Sequence, residues 1–284
     1  MAKATLLDVH IHNDLSELLS GFEISEAVTL NATHALSSDV STKGLPGYFT
    51  GDRKAKTVMI MLNPGGDAEE ADRNYRCQIC KACIDDMHGL NPFISTYLEA
   101  QAGYGWRDRH RYDAFDVKQA FFLCDWTDCG VTFPKGFPDD KTTYLKAKEN
   151  VLMQKLQLEL VPYCSSTFAV KKIKLLLPYV ETLFDEIFSY ERKYVIFCSG
   201  VFEKLFKTYN NKFKGSISGL SGQPISTTLK RANGVYTKNK YNCRKITITY
   251  KGHPFNAMIA HSFLMQGLGE NLMKQYGTFC HHNY

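Results

Sequence analysis

The sequence has no run of about 18 apolar residues, the length that a helix needs to cross a bilayer. It also lacks the two common glycine-rich phosphate-binding motifs, Gly-x-x-x-x-Gly-Lys-Ser/Thr and Gly-x-Gly-x-x-Gly. Residues 1–19 carry acids and histidines where a secretion signal needs a basic start and an apolar core. These absences argue against a membrane protein and a typical nucleotide-binding enzyme, and we expect a cytoplasmic protein.

Composition and cysteine content give the first positive information. The chain has 284 residues, 44% apolar and 22% charged, which is ordinary for a globular protein and fits a single domain over residues 1–284. Its nine cysteines are expected to be reduced thiols rather than a disulfide framework. Cys77, Cys80 and Cys83 have a spacing typical of zinc or iron–sulfur ligands, but also of one buried helix face. Because a fourth ligand is not evident, we expect no cofactor.

Acidic residues are absent from one long stretch of the chain. Between Lys204 and Lys251 the sequence has eleven Lys or Arg residues and no Asp or Glu. Such a stretch favours a polyanionic partner, because contacts with phosphates release counterions. The alternative is a solvated basic surface that has no partner.

Four short segments have the composition of buried β-strands. They are residues 57–62, 156–161, 194–198 and 246–250. The helical patterns between and after them are residues 171–189, 201–209 and 256–276, and Pro178 is expected to kink or divide the first. Strands that alternate with helices predict a three-layer α/β/α fold with a central four-stranded parallel sheet.

Three further segments complete the predicted domain. We expect residues 1–45 to form a helical extension and residues 66–155 to be an insert between the first two strands. Residues 210–244 read as a basic loop with a hairpin at Asn233-Gly234, because Asn-Gly is a strong turn signal.

Chemistry is expected just after each strand, because open parallel sheets bind ligands at the carboxyl ends of their strands. The segment Asn63–Asp67 follows the first strand. Its glycines let backbone amides approach a ligand, although Pro-Gly also suits a plain type II turn. His253 follows the fourth predicted strand, which makes it the best placed of the histidines.

Several segments together resemble the uracil-DNA glycosylase superfamily. VMIMLNPGG, residues 58–66, is similar to the first motif, especially that of the mismatch and thymine glycosylases, and YKGHPF, residues 250–255, is similar to the second. KYVIFCSGVFEKLF, residues 193–206, resembles the strand–glycine–helix segment before the second motif. HGLNPFI, residues 88–94, resembles the element whose phenylalanine stacks on the extruded base. The four predicted strands also fit the parallel sheet of that superfamily.

The resemblance implies a role for each matched residue. Asn63 would position the attacking water or stabilise the sugar cation, and His253 would hydrogen-bond the departing base. Phe93 would stack on the flipped base. The turn residues that would bring main-chain amides to the base or its phosphate are Gly65, Gly66 and Asp67.

The second strand departs from the pattern of the superfamily. Glu159 stands where the superfamily has a base-reading asparagine. A carboxylate only accepts hydrogen bonds, so Glu159 suits a base with an exocyclic amine, as in a cytosine derivative. Alternatively, Glu159 is a general base or a buried structural acid. Tyr163, just beyond this strand, either shapes the pocket or caps the core.

The second motif departs as well, because Phe255 stands where the superfamily has serine. Phe255 is either a wedge that enters the base stack or a residue packed beneath the final helix. The 66–155 insert suits a pocket widened for a bulky modified base, as in antiviral defence. The residues assigned to DNA contact, besides Phe255, are Lys212, Lys214, Lys230, Arg231 and Lys251.

These features predict a monofunctional DNA glycosylase that removes uracil or a modified pyrimidine and leaves an abasic site. The motifs place no lysine as a Schiff-base nucleophile, so no lyase step is expected. The alternatives are a non-catalytic DNA-binding protein on the same fold, and an α/β enzyme that binds a small phosphorylated substrate at residues 63–66. DNA is the expected partner, no membrane contact is expected, and no protein partner is indicated.

Overall fold

The structure, a computed structural model, combines α-helices with a large mixed β-sheet. It describes residues 4–21, 46–63, 114–127, 154–165, 167–213, 216–265 and 267–284, together with residues 24, 33–36, 40 and 42. The prediction of an α/β protein is confirmed. No helix in these ranges is long and apolar enough to cross a membrane.

The described helices and strands follow one another in a mixed order. The helices are α1 (Leu6–Gly21), α2 (Ala114–Phe122), α3 (Leu177–Phe188), α4 (Val201–Phe213) and α5 (Glu270–His282). Two 3-10 helices, Leu123–Asp125 and Ile173–Leu176, follow α2 and precede α3. The strands are β1 (Phe49–Gly51), β2 (Thr57–Met61), β3 (Lys155–Glu159), β4 (Tyr194–Phe197), β5 (Ile217–Ser218), β6 (Ile225–Thr227), β7 (Tyr241–Tyr250) and β8 (His253–Ala260).

The chain divides into two compact units. The first comprises residues 1–50, 61–108 and 158–190, and the second comprises residues 51–60, 109–157 and 191–284. The second unit contains all or part of every described strand. Its sheet has the order β1-β3-β2-β4-β8-β7-β5, and β6 also pairs with β7. In this sheet β2, β4 and β8 run parallel, whereas β7 is antiparallel to β8, β5 and β6.

All four segments predicted as strands are strands, and three of them correspond to a whole strand with small differences at its ends. Residues 57–62, 156–161 and 194–198 correspond to β2, β3 and β4. All five residues of β2 and three of the four residues of β4 are buried, as expected for strands that are covered on both faces. Short apolar runs were therefore a sufficient signal for β2 and β4.

The fourth predicted segment is a strand, but it does not take the parallel position that was predicted for it. Residues 246–250 are the end of β7, which turns directly into β8 through Lys251 and Gly252. Both turn residues have positive φ, 49° and 84°, which is the backbone of a two-residue hairpin turn. The strand that runs parallel to β4 is β8. The predicted parallel position of residues 246–250 is therefore wrong.

The closing helix also begins later than predicted. Residues 257–260 are buried and pair with both β4 and β7, so they form the end of β8 instead of the first turn of a helix. The helix predicted over residues 256–276 is wrong over its first part, and α5 begins after Gly269. At Gly277, α5 approaches α2 so closely that a Cβ would collide with the Phe122 carbonyl.

The helix predicted over residues 171–189 is confirmed in its second half. Residues 173–176 form a 3-10 turn, and α3 begins at Leu177. Pro178 lies in the first turn of α3, where its missing N–H costs no helical hydrogen bond. Pro178 therefore marks the start of the α-helix.

Candidate functional site

Asn63, two residues beyond β2, is held by the loop that follows β3 in the first unit. Its Nδ2 donates to the Ser165 hydroxyl at 2.7 Å and to the Tyr163 carbonyl at 3.3 Å. The Ser165 hydroxyl in turn donates to the Thr167 carbonyl at 2.7 Å. These contacts fix the plane of the Asn63 amide, so its carbonyl oxygen has a defined direction. A fixed acceptor of this kind is suited to orienting a water molecule.

Glu159 is the last residue of β3 and is 8% exposed. Its backbone N–H donates to the Tyr48 carbonyl at 3.0 Å. Burial raises the pKa of the Cys164 thiol, and the negative charge of Glu159 raises it further. Glu159 thus supplies a buried carboxylate in the same unit as Asn63.

Tyr163 has its side chain in the core of the first unit. Its hydroxyl donates to Asp14 Oδ2 at 2.8 Å, and the Tyr48 hydroxyl donates to the same oxygen at 2.7 Å. All three side chains are buried. Tyr163 therefore contacts Asn63 through its main-chain carbonyl, while its ring caps the core.

Asp14 is a fully buried carboxyl group with an altered proton affinity. Burial raises its pKa to about 7, although the hydrogen bonds from Tyr48 and Tyr163 lower it, and the charge of Glu17 adds a further rise. Asp14 Oδ1 is buried and accepts no hydrogen bond from the described residues. Asp14 can therefore change its protonation state near neutral pH.

His253 does not lie where the sequence predicted it. It is the first residue of β8, it is exposed, and it pairs with Tyr250 across the hairpin. It is therefore at the amino end of a strand that runs parallel to β4, whereas the prediction required a carboxyl end. Phe255 is a half-buried residue of the same strand, opposite Ile248. The geometric basis for the predicted role of His253 is lost.

His261 is the histidine that follows the carboxyl end of β8. Its Nε2 lies 2.5 Å from Glu203 Oε2, and Arg244 Nε donates to the same oxygen at 3.1 Å. Glu203 Oε1 accepts a hydrogen bond from Lys207 at 2.7 Å. His261 Nδ1 is buried and has no hydrogen-bond partner among the described residues. Because the carboxylate favours a proton on Nε2, Nδ1 is the ring nitrogen left without a hydrogen bond among the described residues.

Helix α4 and Arg244 position this histidine. Glu203 lies in the first turn of α4, where the helix dipole favours negative charge. Burial alone would raise the pKa of Glu203, but hydrogen bonds from Lys207 and His261 and the charge of Arg244 lower it to about 2. Arg244 is 5% exposed and also donates to the carbonyls of residues 219, 221 and 222. A permanent carboxylate therefore links His261 to a buried guanidinium.

Replacing Glu203 with Gln is expected to lower the free energy of unfolding by about 1–3 kcal/mol, because Arg244 loses its charged partner. The folded-state pKa of Glu203 is about 2, below the ordinary value of 4.5, so its contribution is complete above pH 4.5 and is lost as the pH falls towards 2. Urea denaturation near pH 7 and near pH 2.5 measures this difference. Glu191→Gln, at an exposed position, is the control. Equal destabilisation at both pH values would contradict the ionic role of Glu203.

The described residues that were predicted to contact DNA do not form one cluster. Lys212 is an exposed residue of α4 rather than of a loop, and Lys251 lies in the β7–β8 turn with its Nζ 4.9 Å from the Tyr250 ring. Lys230 and Arg231 are exposed in the predicted Asn-Gly hairpin, where Gly234 N–H donates to the Arg231 carbonyl at 2.9 Å. Arg231 precedes β7 and Lys251 follows it, so roughly 30 Å of strand separates them.

Some predicted residues lie outside the described ranges. They are Gly65, Gly66, Asp67, Cys77, Cys80, Cys83, Phe93 and Lys214. In the part of the chain that the structure describes, no group of His, Cys, Asp and Glu side chains could hold a metal ion. The predictions for these residues stay predictions.

No protein-family model, curated protein or solved structure matches this chain. The sequence analysis did not single out Asp14, Tyr48, Glu203, Arg244 or His261. A signal for His261 was available, because the buried run Ala257–Ala260 is followed at once by His261-Ser262. The apparent helical spacing of the residues that follow concealed it.

Proposed function

We propose that the protein is a monofunctional DNA glycosylase of the uracil-DNA glycosylase type. The observation that carries the proposal is the position of Asn63. Asn63 follows the carboxyl end of β2, a strand parallel to β4, and hydrogen bonds to the loop after β3 hold its amide. Carboxyl ends of parallel strands are where open α/β sheets place their chemistry.

In this proposal the second motif is at His261-Ser262 instead of His253-Pro254. The second motif of the superfamily usually reads His-Pro-Ser, so His261-Ser262 retains the histidine and the serine without the proline. The contact between Glu203 and His261 supports this assignment, because a carboxylate fixes the orientation and tautomer of an imidazole ring. His253 has no equivalent contact in the described hydrogen bonds.

The proposed reaction breaks the C1′–N bond before water attacks. The bonding electrons leave with the base, and a hydrogen bond from the His261 ring stabilises the negative charge that develops on an oxygen of that base. Glu203 orients the ring through Nε2. By the resemblance of its motif, the Asn63 carbonyl accepts a hydrogen bond from the water that adds to C1′, and the proton that this water releases is taken up by the departing base anion. The products are the free base and an abasic site.

Two exposed side chains beyond His261 suit the role first considered for Phe255. Leu264 is 42% exposed and Met265 is 37% exposed. An apolar side chain can fill the gap that a displaced nucleotide leaves in the base stack. We assign the wedge to Leu264 and Met265 in place of Phe255, which is a residue of β8.

The identity of the base that is removed is proposed from the chemistry of Glu159. A buried carboxylate accepts hydrogen bonds but cannot donate them, so it favours an exocyclic amine over the O4 of uracil. A cytosine derivative is therefore the expected substrate, and antiviral defence against DNA with modified cytosines is a setting that would supply it.

Base release from a panel of DNAs tests the proposal. The panel contains uracil, thymine mismatches, hydroxymethylcytosine and glucosylated hydroxymethylcytosine, and the readout is alkali-labile abasic sites. We expect Asn63→Ala to lower the single-turnover rate roughly a hundredfold, because the water loses its position. Asn211→Ala, at an exposed position on α4, is the control and should release base like the wild type.

Failure of the whole panel has a defined meaning. Tight DNA binding with no abasic site in any substrate would contradict the glycosylase assignment. It would favour the non-catalytic DNA-binding protein, which the acid-free stretch from Lys204 to Lys251 would equally serve.

A further inference from the structure

Residues 229–237, which we name the arm, form a short antiparallel ribbon that ends in a turn at Asn233-Gly234. Thr237 N–H donates to the Leu229 carbonyl at 2.8 Å, and Arg231 N–H donates to the Val235 carbonyl at 2.9 Å. Gly234 has a φ of 82°, which its position in the turn requires. The arm is thus a defined structural element of the second unit.

The base of the arm is firmly attached to its surroundings. Leu229 and Thr237 are buried, and the Thr237 hydroxyl accepts from Leu229 N–H and donates to the Asn239 carbonyl, each at 3.0 Å. The side-chain amide of Gln275 in α5 forms two hydrogen bonds with the main chain of Lys230. Its Nε2 donates to the Lys230 carbonyl and its Oε1 accepts from the Lys230 N–H, both at 2.8 Å. These contacts fix the base of the arm against the second unit.

The tip presents apolar and cationic side chains to solvent. Tyr236 is 61% exposed and Val235 is 58% exposed, the two highest values for large apolar side chains in the described ranges. Lys230 and Tyr236 face each other in an antiparallel bridge, so their side chains project from the same side of the ribbon, with Cβ atoms about 5 Å apart. An exposed aromatic ring beside an ammonium group is a surface suited to binding a partner molecule.

The arm lies at the same sheet edge as His261. It leads into the amino end of β7, where Cys243 pairs with Ala260, the last residue of β8. Asn242 N–H donates to the Ser262 hydroxyl at 3.0 Å, directly after His261. All these residues belong to the second unit.

The charged side chains of the arm, and of the segment that joins it to β7, are all positive. The exposed cations of the arm and of the segment that joins it to β7 are Lys230, Arg231, Lys238 and Lys240. No Asp or Glu occurs from Lys204 to Lys251, so the sequence supplies no neighbouring acid to neutralise them. A polyanion is the partner that this charge fits.

We infer that the arm binds a single strand of DNA beside the nucleotide on which the protein acts, with Tyr236 stacked on an unpaired base. Lys230 and Arg231 bind the phosphates on either side of that base. The inference rests on the proposed function, since it names the form of DNA that the same sheet edge receives. A ring can stack only on a base whose face is open, so single strands bind better than the matched duplex.

Fluorescence anisotropy with a labelled single-stranded oligonucleotide, and with its duplex, tests the inference on the full chain. We expect Tyr236→Ala to weaken single-strand binding about tenfold and duplex binding less, while Tyr236→Phe, which retains the ring, stays within about twofold of the wild type. Val9→Ala, an exposed apolar position on α1, is the control and should bind like the wild type. If Tyr236→Ala binds the single strand with wild-type affinity, or if Tyr236→Phe loses as much affinity as Tyr236→Ala, the stacking role is wrong.

Salt dependence tests the two cations separately. The double variant Lys230→Gln with Arg231→Gln should lower the slope of log affinity against log salt by roughly 1.4, about 0.7 for each lost phosphate contact on a single strand. An unchanged slope would overturn the phosphate contacts. Because both side chains are exposed, thermal unfolding should be unchanged and serves as the folding control.

Base release separates this inference from the proposed function. Under single-turnover conditions at saturating DNA, the control Val9→Ala should release base at the wild-type rate. If no DNA loses a base while binding still depends on Tyr236, the glycosylase proposal is wrong and the single-strand binding by the arm is supported. If base is released and the mutation of Tyr236 does not change binding, the inference about the arm is wrong and the glycosylase proposal is supported.

Discussion

Replacing His261 with Gln is expected to lower the single-turnover rate of base release by about 10²–10³-fold, whereas His253→Gln should remain within about twofold of the wild type. His261 follows the carboxyl end of a parallel strand and is bonded to Glu203 at 2.5 Å, so its ring is already oriented. His253 is exposed in a hairpin at the amino end of that strand. Single-turnover release from the best DNA of the panel measures both rates.

Two controls accompany the His261→Gln and His253→Gln variants, one for folding and one for the assignment of the second motif to His261. The side-chain amide that His261→Gln introduces retains a donor for Glu203, so the thermal unfolding midpoint of this variant should stay close to that of the wild type. A large loss in His253→Gln together with normal release by His261→Gln would show that the sequence resemblance at residues 250–255 locates the second motif correctly. The assignment to His261 would then be wrong.

The second large effect is on stability, and it comes from Asp14. Its folded-state pKa of about 7 lies above the ordinary value of 3.8, so the folded protein retains a proton that the unfolded chain releases between these values. The stabilisation is therefore complete below pH 3.8 and is lost as the pH rises to about 7. The expected decrease in the free energy of unfolding is as much as about 4 kcal/mol, at about 1.4 kcal/mol per pH unit.

Asp14→Asn isolates this contribution. Its amide oxygen can still accept from Tyr48 and Tyr163, and the residue does not titrate. Urea denaturation from pH 4 to pH 8 should show the variant gaining stability relative to the wild type as the pH rises. His10, one turn earlier in α1, has a pKa lowered by burial and adds an opposite slope to both proteins, which cancels in the difference.

An unchanged difference between the two proteins across this range would contradict the burial of a titrating Asp14. Asp52→Asn removes an exposed carboxyl group and should show no such gain. The Tyr48 and Tyr163 hydroxyls are titratable too, but burial raises both of their pKa values well above this pH range.

The strands were predicted wherever burial on both faces produced an uninterrupted apolar run. β2 and β4 are of this kind, and their local sequence is sufficient. β8 is different because only its second half is buried, and its apolar residues run on into Phe263 and Leu264 at spacings that suit a helix. Pairing with β4 on one side and β7 on the other decides its structure, and neither partner is visible in a local window.

The site shows the same division between local and distant information. Asn63 was predicted as a site residue because the strand, the turn and the amide lie within a few residues. The contacts of Asp14 with Tyr48 and Tyr163, and those of Glu203 with Arg244 and His261, join residues that are far apart in the sequence. Residue type alone did not distinguish His261 from His253, because what separates them is the strand end at which each one lies.

The β7–β8 hairpin has a practical consequence for experiments on this protein. Its turn, Lys251-Gly252, is exposed and lies at the opposite end of β7 from the arm, roughly 30 Å away. Exposed two-residue turns tolerate inserted residues because lengthening a surface loop costs little entropy. A fluorophore or an affinity tag inserted there would report on the proposed DNA binding from a distance, leaving the edge that carries His261 unobstructed.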